Sequence, residues 1–248
     1  MWKKHIRQDK AHLTSTMSAP QIRNKILRLL PPAELAAVTE RSEMVTIKSK
    51  EIFFQPGERL RYVHFPEDCV ISLVTVMEDG DQVEAMTVGN DGFAEIPIFH
   101  GVDTSPNRGC GQISGVASRL AVKDFRELTE QLPRIGELLH RYSEFVYETV
   151  AQSAACNRLH VIEQRCARWL LMSEDRVGRD NFDLTQEFLA EMLGVRRPGV
   201  TVAMGFLAKA GMIAYGRGNI KVVDRAGLER VACECYQTIR RRQAKLME

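Results

Sequence analysis

The sequence predicts an α+β chain in which a β-roll (jelly roll) is followed by a long helix and then a winged helix-turn-helix. Three observations carry this expectation. Glycine-punctuated strand runs occupy residues 44–122, an apolar seam at alternating steps of three and four runs from Ile135 to Leu159, and Met192 to Met204 reads MLGVRRPGVTVAM. That last stretch sets two arginines and a proline after a glycine, between two apolar runs.

At 248 residues, 44% hydrophobic and 27% charged, the chain is long enough for two domains with real cores and does not have the composition of a disordered or membrane protein. No apolar run approaches the roughly 18 residues of a membrane span. The start, Met1-Trp2-Lys3-Lys4-His5-Ile6, is basic but lacks the apolar centre of a signal peptide, so the expectation is a cytoplasmic protein without a membrane partner. Charge divides the chain. Residues 20–160 carry 15 cations and 20 acids, whereas residues 161–248 carry 15 cations and 11 acids. The part suited to a polyanion is the C-terminal third.

In chain order, residues 1–19 lack periodicity and read as a flexible tail. Residues 20–132 read as the roll. It opens with helical Ile22 to Leu30 and a second helix after Pro31-Pro32, followed by strands at 44–47, 51–54, 62–65, 69–76, 82–88 and 115–122. The helical period then returns and runs almost unbroken to Met172. Within it, residues 133–160 read as a dimerisation helix. Leu138, Tyr142, Phe145, Thr149 and Cys156 lie on a seam long enough for a coiled-coil contact, and polar Thr149 in that seam favours a specific paired register.

Residues 161–248 read as the winged helix-turn-helix. Thr185 is the expected N-cap of a short helix whose Leu189, Met192 and Leu193 form one buried stripe, and Gly194 ends it. Pro198 suits the first turn of the next helix, which Val200, Ala203, Met204 and Leu207 anchor and Gly211 closes. Two short strands around Gly216-Arg217-Gly218-Asn219 make a wing with Arg217 at its tip. From Met192 to Val223 there are five cations and no acid, which suits phosphate contact. The expected partner is double-stranded DNA. The candidate contacts are Thr185, Gln186, Arg196, Arg197, Thr201, Lys209 and Arg217, with Arg196, Arg197 and Thr201 reading bases.

The six cysteines show no disulfide-scaffold or zinc-ribbon rhythm. Cys233-x-Cys235 could hold a soft metal or be redox-active, but a pair on a terminal helix is more often one buried and one exposed thiol, and no metal is expected. His160 is read as a hydrogen-bonded structural residue.

Leu189-Ala190-x-x-Leu193-Gly194-Val195-x-x-x-x-Val200 and Arg165-x-x-Arg168-Trp169-Leu170-Leu171, in this order of parts, resemble the cyclic-AMP receptor protein and fumarate-nitrate regulator (Crp/Fnr) family of bacterial transcription factors. The resemblance spans nearly all the chain from Ile22. It implies a cyclic-nucleotide-binding-like sensor roll, a homodimer on a palindromic operator, and contact with RNA polymerase. Glu95 matches the family's ribose-binding acid, and Arg108 stands where its phosphate cation would be. Ala94 and Gly109 replace the glycine and the hydroxyl beside them, and Val150 and Ala151 replace hydroxyl residues on the long helix. These departures weigh against a cyclic nucleotide. The first cysteine is Cys69, so the family's N-terminal iron–sulfur ligands are missing and no cluster is expected. Pro198 and Val202 replace later base-reading residues, so the operator should differ. An enzyme is not expected, as no nucleophile–base pair or phosphate loop is present. The different-class alternative is a regulatory module that docks on a protein partner.

Overall fold

The computed structural model describes residues 22–216 and 218–248; the expected tail at 1–19 and Arg217 at the wing tip lie outside them. The chain enters through α1 (Lys25–Arg28) and α2 (Pro32–Arg41). Asn24 caps α1 by accepting from the N–H groups of Ile26 and Leu27, and its amide donates to the carbonyls of Pro66 and Gly92. One fully buried asparagine thus ties the entry helix to the roll.

The roll comprises β1 (Glu43–Ile47), β2 (Ile52–Phe54), β3 (Tyr62–Pro66), β4 (Val70–Val76), β5 (Gln82–Val88), α3 (Ile96–Phe99), β6 (Arg108–Ile113) and β7 (Gly115–Ala121). Its two antiparallel sheets have the orders β1-β7-β3 and β2-β6-β4-β5. Phe54, Phe65, Leu73, Met86 and Phe93 fill the space between them. β6 is the strand that the sequence pattern missed, because Gly109 and Gly111 interrupt its alternation. Both glycines are required by close approach. A Cβ on Gly109 would fall 2.4 Å from the Phe54 ring, and one on Gly111 would fall 2.1 Å from the Lys48 carbonyl oxygen.

The long helical stretch is three helices, α4 (Val122–Gln131), α5 (Pro133–Leu159) and α6 (Ile162–Val177). Breaks fall at Leu132, which precedes a proline, and at His160, where the backbone turns extended. α5 corrects the expected seam. Leu138, Tyr142 and Phe145 face inward and join the roll's own core, with the Tyr142 ring centroid 5.2 Å from that of Phe93. Thr149 and Cys156 are buried as well, Cys156 against Cys233 and Cys235. The three-four spacing reported a buried face correctly, but this face is covered by the same chain. The helix presents a second stripe to solvent, with Tyr147 72% and Val150 38% exposed and Ala151 and Ala154 also exposed.

The C-terminal unit follows as β8 (Asn181–Asp183), α7 (Gln186–Leu193), α8 (Arg197–Lys209), β9 (Ile213–Gly216), β10 (Asn219–Val222), α9 (Arg225–Val231) and α10 (Cys235–Leu246). β8, too short to carry a period, adds a third strand to the wing sheet, whose order is β8-β10-β9. Val70, Val74, Cys110 and Ile113 from the outer face of the four-stranded sheet share one core with Trp169 and Leu170 of α6 and with the apolar stripes of α7 and α8. α10 returns to lie along α5, with Arg242 donating to the Glu148 carbonyl at 2.9 Å. Among the described residues no helix is long and apolar enough to cross a membrane.

Candidate nucleic-acid interface

The turn between α7 and α8 is built as its residues require. Thr185 accepts from the Phe188 N–H at 3.2 Å, and Gly194 takes φ 60° and ψ 43°, a conformation costly for other residues. Its N–H returns to the carbonyls of Ala190 and Glu191. Pro198 sits in the first turn of α8, where its missing N–H leaves no gap in the helix ladder. Val200, Ala203, Met204 and Leu207 are fully buried and fix the rotation of α8. Its free face then carries Arg197, Thr201, Val202, Phe206 and Lys209, preceded by exposed Arg196 at the N-cap.

The expected contact residues gather here in two groups. Arg196, Arg197 and Thr201 share the N-terminal end of α8 with Gln186, the first residue of α7, because the Thr201 hydroxyl donates to Gln186 Oε1 at 2.8 Å. That bond leaves the threonine methyl and the Gln186 amide nitrogen for an outside partner. Lys209 stands about 18 Å further along the helix axis, at 1.5 Å per residue, so it belongs to a different contact from the arginines. Thr185 is partly buried and occupied in capping. The expected contact set leaves out Val202 and Phe206, which are 66% and 50% exposed. Both are out of phase with the Val200–Leu207 stripe; Val202 entered the sequence analysis only as the replacement of a base-reading residue, and Phe206 not at all.

The first turn of α8 faces the roll. Arg196 and Arg197 line a cleft of about 770 Å³ with Gln82 and Val83 of β5 and with Met77, Gly80 and Asp81 of the β4–β5 turn. Behind this cleft the roll meets α6 through buried polar groups. The Arg176 guanidinium lies 3.2 Å from both oxygens of Asp91 and donates to Thr87 Oγ1 at 2.6 Å, while Gln243 of α10 donates to the same aspartate at 2.8 Å. Burial pushes the Asp91 carboxyl up, but the Arg176 guanidinium and its hydrogen bond outweigh burial and hold it below the usual carboxylate range. Glu84 is different. Burial raises its carboxyl to about 7 even though Ser72 and the Trp169 indole donate to it.

The two candidate ligand residues do not meet in one cavity. Glu95 is buried, accepts the His64 N–H at 2.8 Å and pairs with His64 Nδ1 at 2.8 Å, along a groove of about 620 Å³ that Arg119 also lines and Arg108 does not. Arg108 donates instead to Gln55 and Gln82. Val150 and Ala151 face solvent, away from the roll interior.

A further group corrects the reading of the terminal cysteine pair. Cys233 and Cys235 are both buried, and the ligand atoms of Cys156, His160, Cys233 and Cys235 all lie within 4.8 Å of one another. The backbone fold, not sequence spacing, brings them together, since Cys156 and Cys233 are 77 positions apart.

Residues 164–231 match the Crp-like helix-turn-helix domain. Among solved structures, FixK2 from Bradyrhizobium japonicum is similar with a TM-score of 0.64 over 77% of this chain and 98% of its own, at 12% identity. The c-di-GMP-responsive global regulator CLP of Xanthomonas campestris gives 0.62 over 78% and 99%, at 13% identity. A CRP-family transcriptional regulator from Thermus thermophilus gives 0.60 over 76% and 96%, at 21% identity. No curated protein sequence matches the chain. The fold expected from the sequence, a roll, a long helix and a helix-turn-helix, is thus shared with Crp/Fnr regulators over most of the chain.

Proposed function

We propose that this chain, whose residues 164–231 form a Crp-like helix-turn-helix domain, is a sequence-specific DNA-binding transcription regulator that acts as a homodimer on a palindromic operator. The observation that carries the reading is the free face of α8. A helix anchored by four buried apolar residues presents Arg196 and Arg197 at its N-terminus, and the turn before it is closed by the left-handed Gly194 cap of α7. Recognition helices enter the major groove with those residues leading, and arginine suits the O6/N7 edge of guanine.

Two copies are required to read two half-sites one helical turn apart. The dimer face is the outward stripe of α5, not the inward seam. Tyr147, Val150, Ala151 and Ala154 recur at heptad-type spacing, and the alanines allow two helices to approach closely. With Glu95 held by His64 and Arg108 tied to two glutamines, the roll is a sensor for something other than a cyclic nucleotide, and the chain needs none to bind DNA. RNA polymerase is the partner through which such a regulator acts.

The test is to select DNA from random duplexes with the purified chain and to map its binding across its own genome. An enriched palindrome with half-sites about one turn apart supports the reading. Binding that is sequence-blind in both experiments, or no binding at low salt, overturns it and favours docking on a protein partner.

A further inference from the structure

We infer that Cys156, His160, Cys233 and Cys235 form a closed tetrahedral site for a thiophilic divalent ion of the zinc type, which fastens the C-terminal helix to the joint between α5 and α6.

The geometry fits one ion. Zinc–sulfur and zinc–nitrogen bonds of about 2.3 and 2.0–2.1 Å place tetrahedral ligands about 3.8 Å apart for two sulfurs and about 3.6 Å apart for a sulfur and a nitrogen. Cys156 Sγ lies 3.5 Å from Cys233 Sγ, and Cys235 Sγ lies 3.7 Å from His160 Nδ1. The remaining pairs are within 4.8 Å, about 1 Å from those tetrahedral spacings at most. A polynuclear cluster, with ligands attached to different metals, needs a wider set. A disulfide needs about 2.05 Å between sulfurs, and a Cys156–Cys233 bond would leave Cys235 and His160 unexplained.

The surroundings are those of a ligand set. His160 Nε2 lies 3.1 Å from a carboxylate oxygen of Glu234, the residue between the two terminal cysteines. With Nε2 on the carboxylate and Nδ1 on the side of the sulfurs, the ring is oriented as in carboxylate–histidine–zinc arrangements. Gln152 donates to Cys235 Sγ at 3.1 Å, an N–H···S bond that favours a thiolate. Three thiolates around a divalent ion carry one net negative charge. Arg165 and Arg168 act electrostatically on Cys156, and each has a buried Nε without a hydrogen-bond partner among the described residues. Buried thiols that merely pack would need neither the oriented imidazole nor the two cations. Cys69, Cys110 and Cys166 are also buried and stand outside this group.

Position gives the site its consequence. His160 is the C-cap of α5, and α6 begins at Ile162, so one ligand sits in the joint that links the roll's long helix to the DNA-binding unit. Cys233 stands between α9 and α10, and Cys235 is the first residue of α10. On loading, three thiols lose protons, three sulfur–metal bonds and one nitrogen–metal bond form, and three protons pass to solvent, with no change of oxidation state.

The full-length chain, purified reduced and stripped of metal by a chelator, is titrated with Zn²⁺ and, separately, Co²⁺. One ion per chain is expected, with about three protons released per ion near neutral pH and, for Co²⁺, the intense visible bands of tetrahedral coordination with a thiolate charge-transfer band. Cys233→Ser and Cys235→Ser should abolish that band, Cys69→Ser should leave it unchanged, and Glu234→Gln should weaken affinity about 10–100-fold. His160→Gln, at a helix end, keeps the helical circular-dichroism signal and should still lose tight one-to-one binding. Reduced wild-type chain that takes up no Co²⁺, uptake that survives Cys233→Ser with Cys235→Ser, or a Cys156–Cys233 disulfide in chain kept under thiol would each overturn the inference. These readouts are independent of DNA binding.

Discussion

Replacing Arg176 by methionine tests what holds the roll to the DNA-binding unit. Arg176 and Asp91 are 5% and 3% exposed at their side chains, and the guanidinium reaches both carboxylate oxygens and Thr87. The variant keeps most of the apolar stem, which packs against Gly89, but strands a buried carboxylate whose remaining donors among the described residues are the Gly89 N–H and the Gln243 amide. Breaking such a pair from one side costs about 3–5 kcal/mol, against about 0–1 kcal/mol for an exposed pair. For 150–250 residues, each kcal/mol lowers the melting temperature by roughly 2–4 °C, so a drop of about 6–20 °C is expected. Calorimetric melting at neutral pH measures it, and Asp91→Asn combined with Arg176→Met should recover part of the loss because no charge is then left unpaired. Asp91 adds a pH signature. Its folded pKa lies below the unfolded value, so its contribution is present above the unfolded carboxylate pKa and is lost as pH falls through the folded one. A loss under about 1 kcal/mol for Arg176→Met, or a double variant no better than the single, would refute the buried-pair account.

Four shorter predictions accompany it. Arg197→Ala should weaken operator binding by about 1–3 kcal/mol while leaving random-sequence binding nearly unchanged, since a bidentate base contact carries discrimination; equal losses in a gel-shift comparison would move Arg197 to the phosphates. Tyr147→Glu with Ala154→Glu should give folded monomers by light scattering, whereas charged residues at Leu138 and Phe145 should unfold the roll; a dimeric Tyr147/Ala154 variant would place the interface elsewhere. Glu84 has its folded carboxyl raised to about 7 from an ordinary value of 4.5, so the packed state binds the extra proton. The resulting stability is full below about 4.5 and falls as pH rises to about 7, by at most about 3 kcal/mol at 1.36 kcal/mol per pKa unit; a Glu84→Gln variant whose melting temperature keeps the same slope over that window would refute this. Calorimetric titration with cyclic AMP should show no micromolar binding, and binding with a gain in operator affinity would restore nucleotide sensing.

Much of the architecture was legible because period and punctuation are local. Thr185, Gly194 and Pro198 announce the helix-turn-helix in the sequence and occupy the N-cap, the left-handed C-cap and the first turn as read. What was illegible depended on partners. The α5 seam is a true buried stripe, yet spacing cannot say whether a second copy or the chain's own roll covers it, and Phe93 turned out to face Tyr142. β6 was hidden by the two glycines that let it pack. The Cys156–His160–Cys233–Cys235 group was illegible for a third reason. Its long gap between the second and third members follows no short motif, and only the return of α10 along α5 brings them together.

The contact between roll and α6 mixes an apolar patch with groups that water could serve as well. Val70, Val74 and Leu170 are buried without polar atoms, but beside them stand Asp91 with Arg176 and Gln243, Glu84 with Ser72 and Trp169, and Gln112 with Ser173. Apolar residues of similar size would commonly hold the units as tightly or more so, since buried charges first lose their hydration. When the units separate, the charged and polar members regain that hydration, so opening costs less than their gross contact energy suggests. The same polar groups also fix a single docked register, because a small displacement leaves several of them unpaired at once. A contact with these two properties gives a domain that is held in one position and can still leave it. Arg196 and Arg197 share a cleft with the β4–β5 turn, so in this docked register the first turn of α8 has the roll as its neighbour.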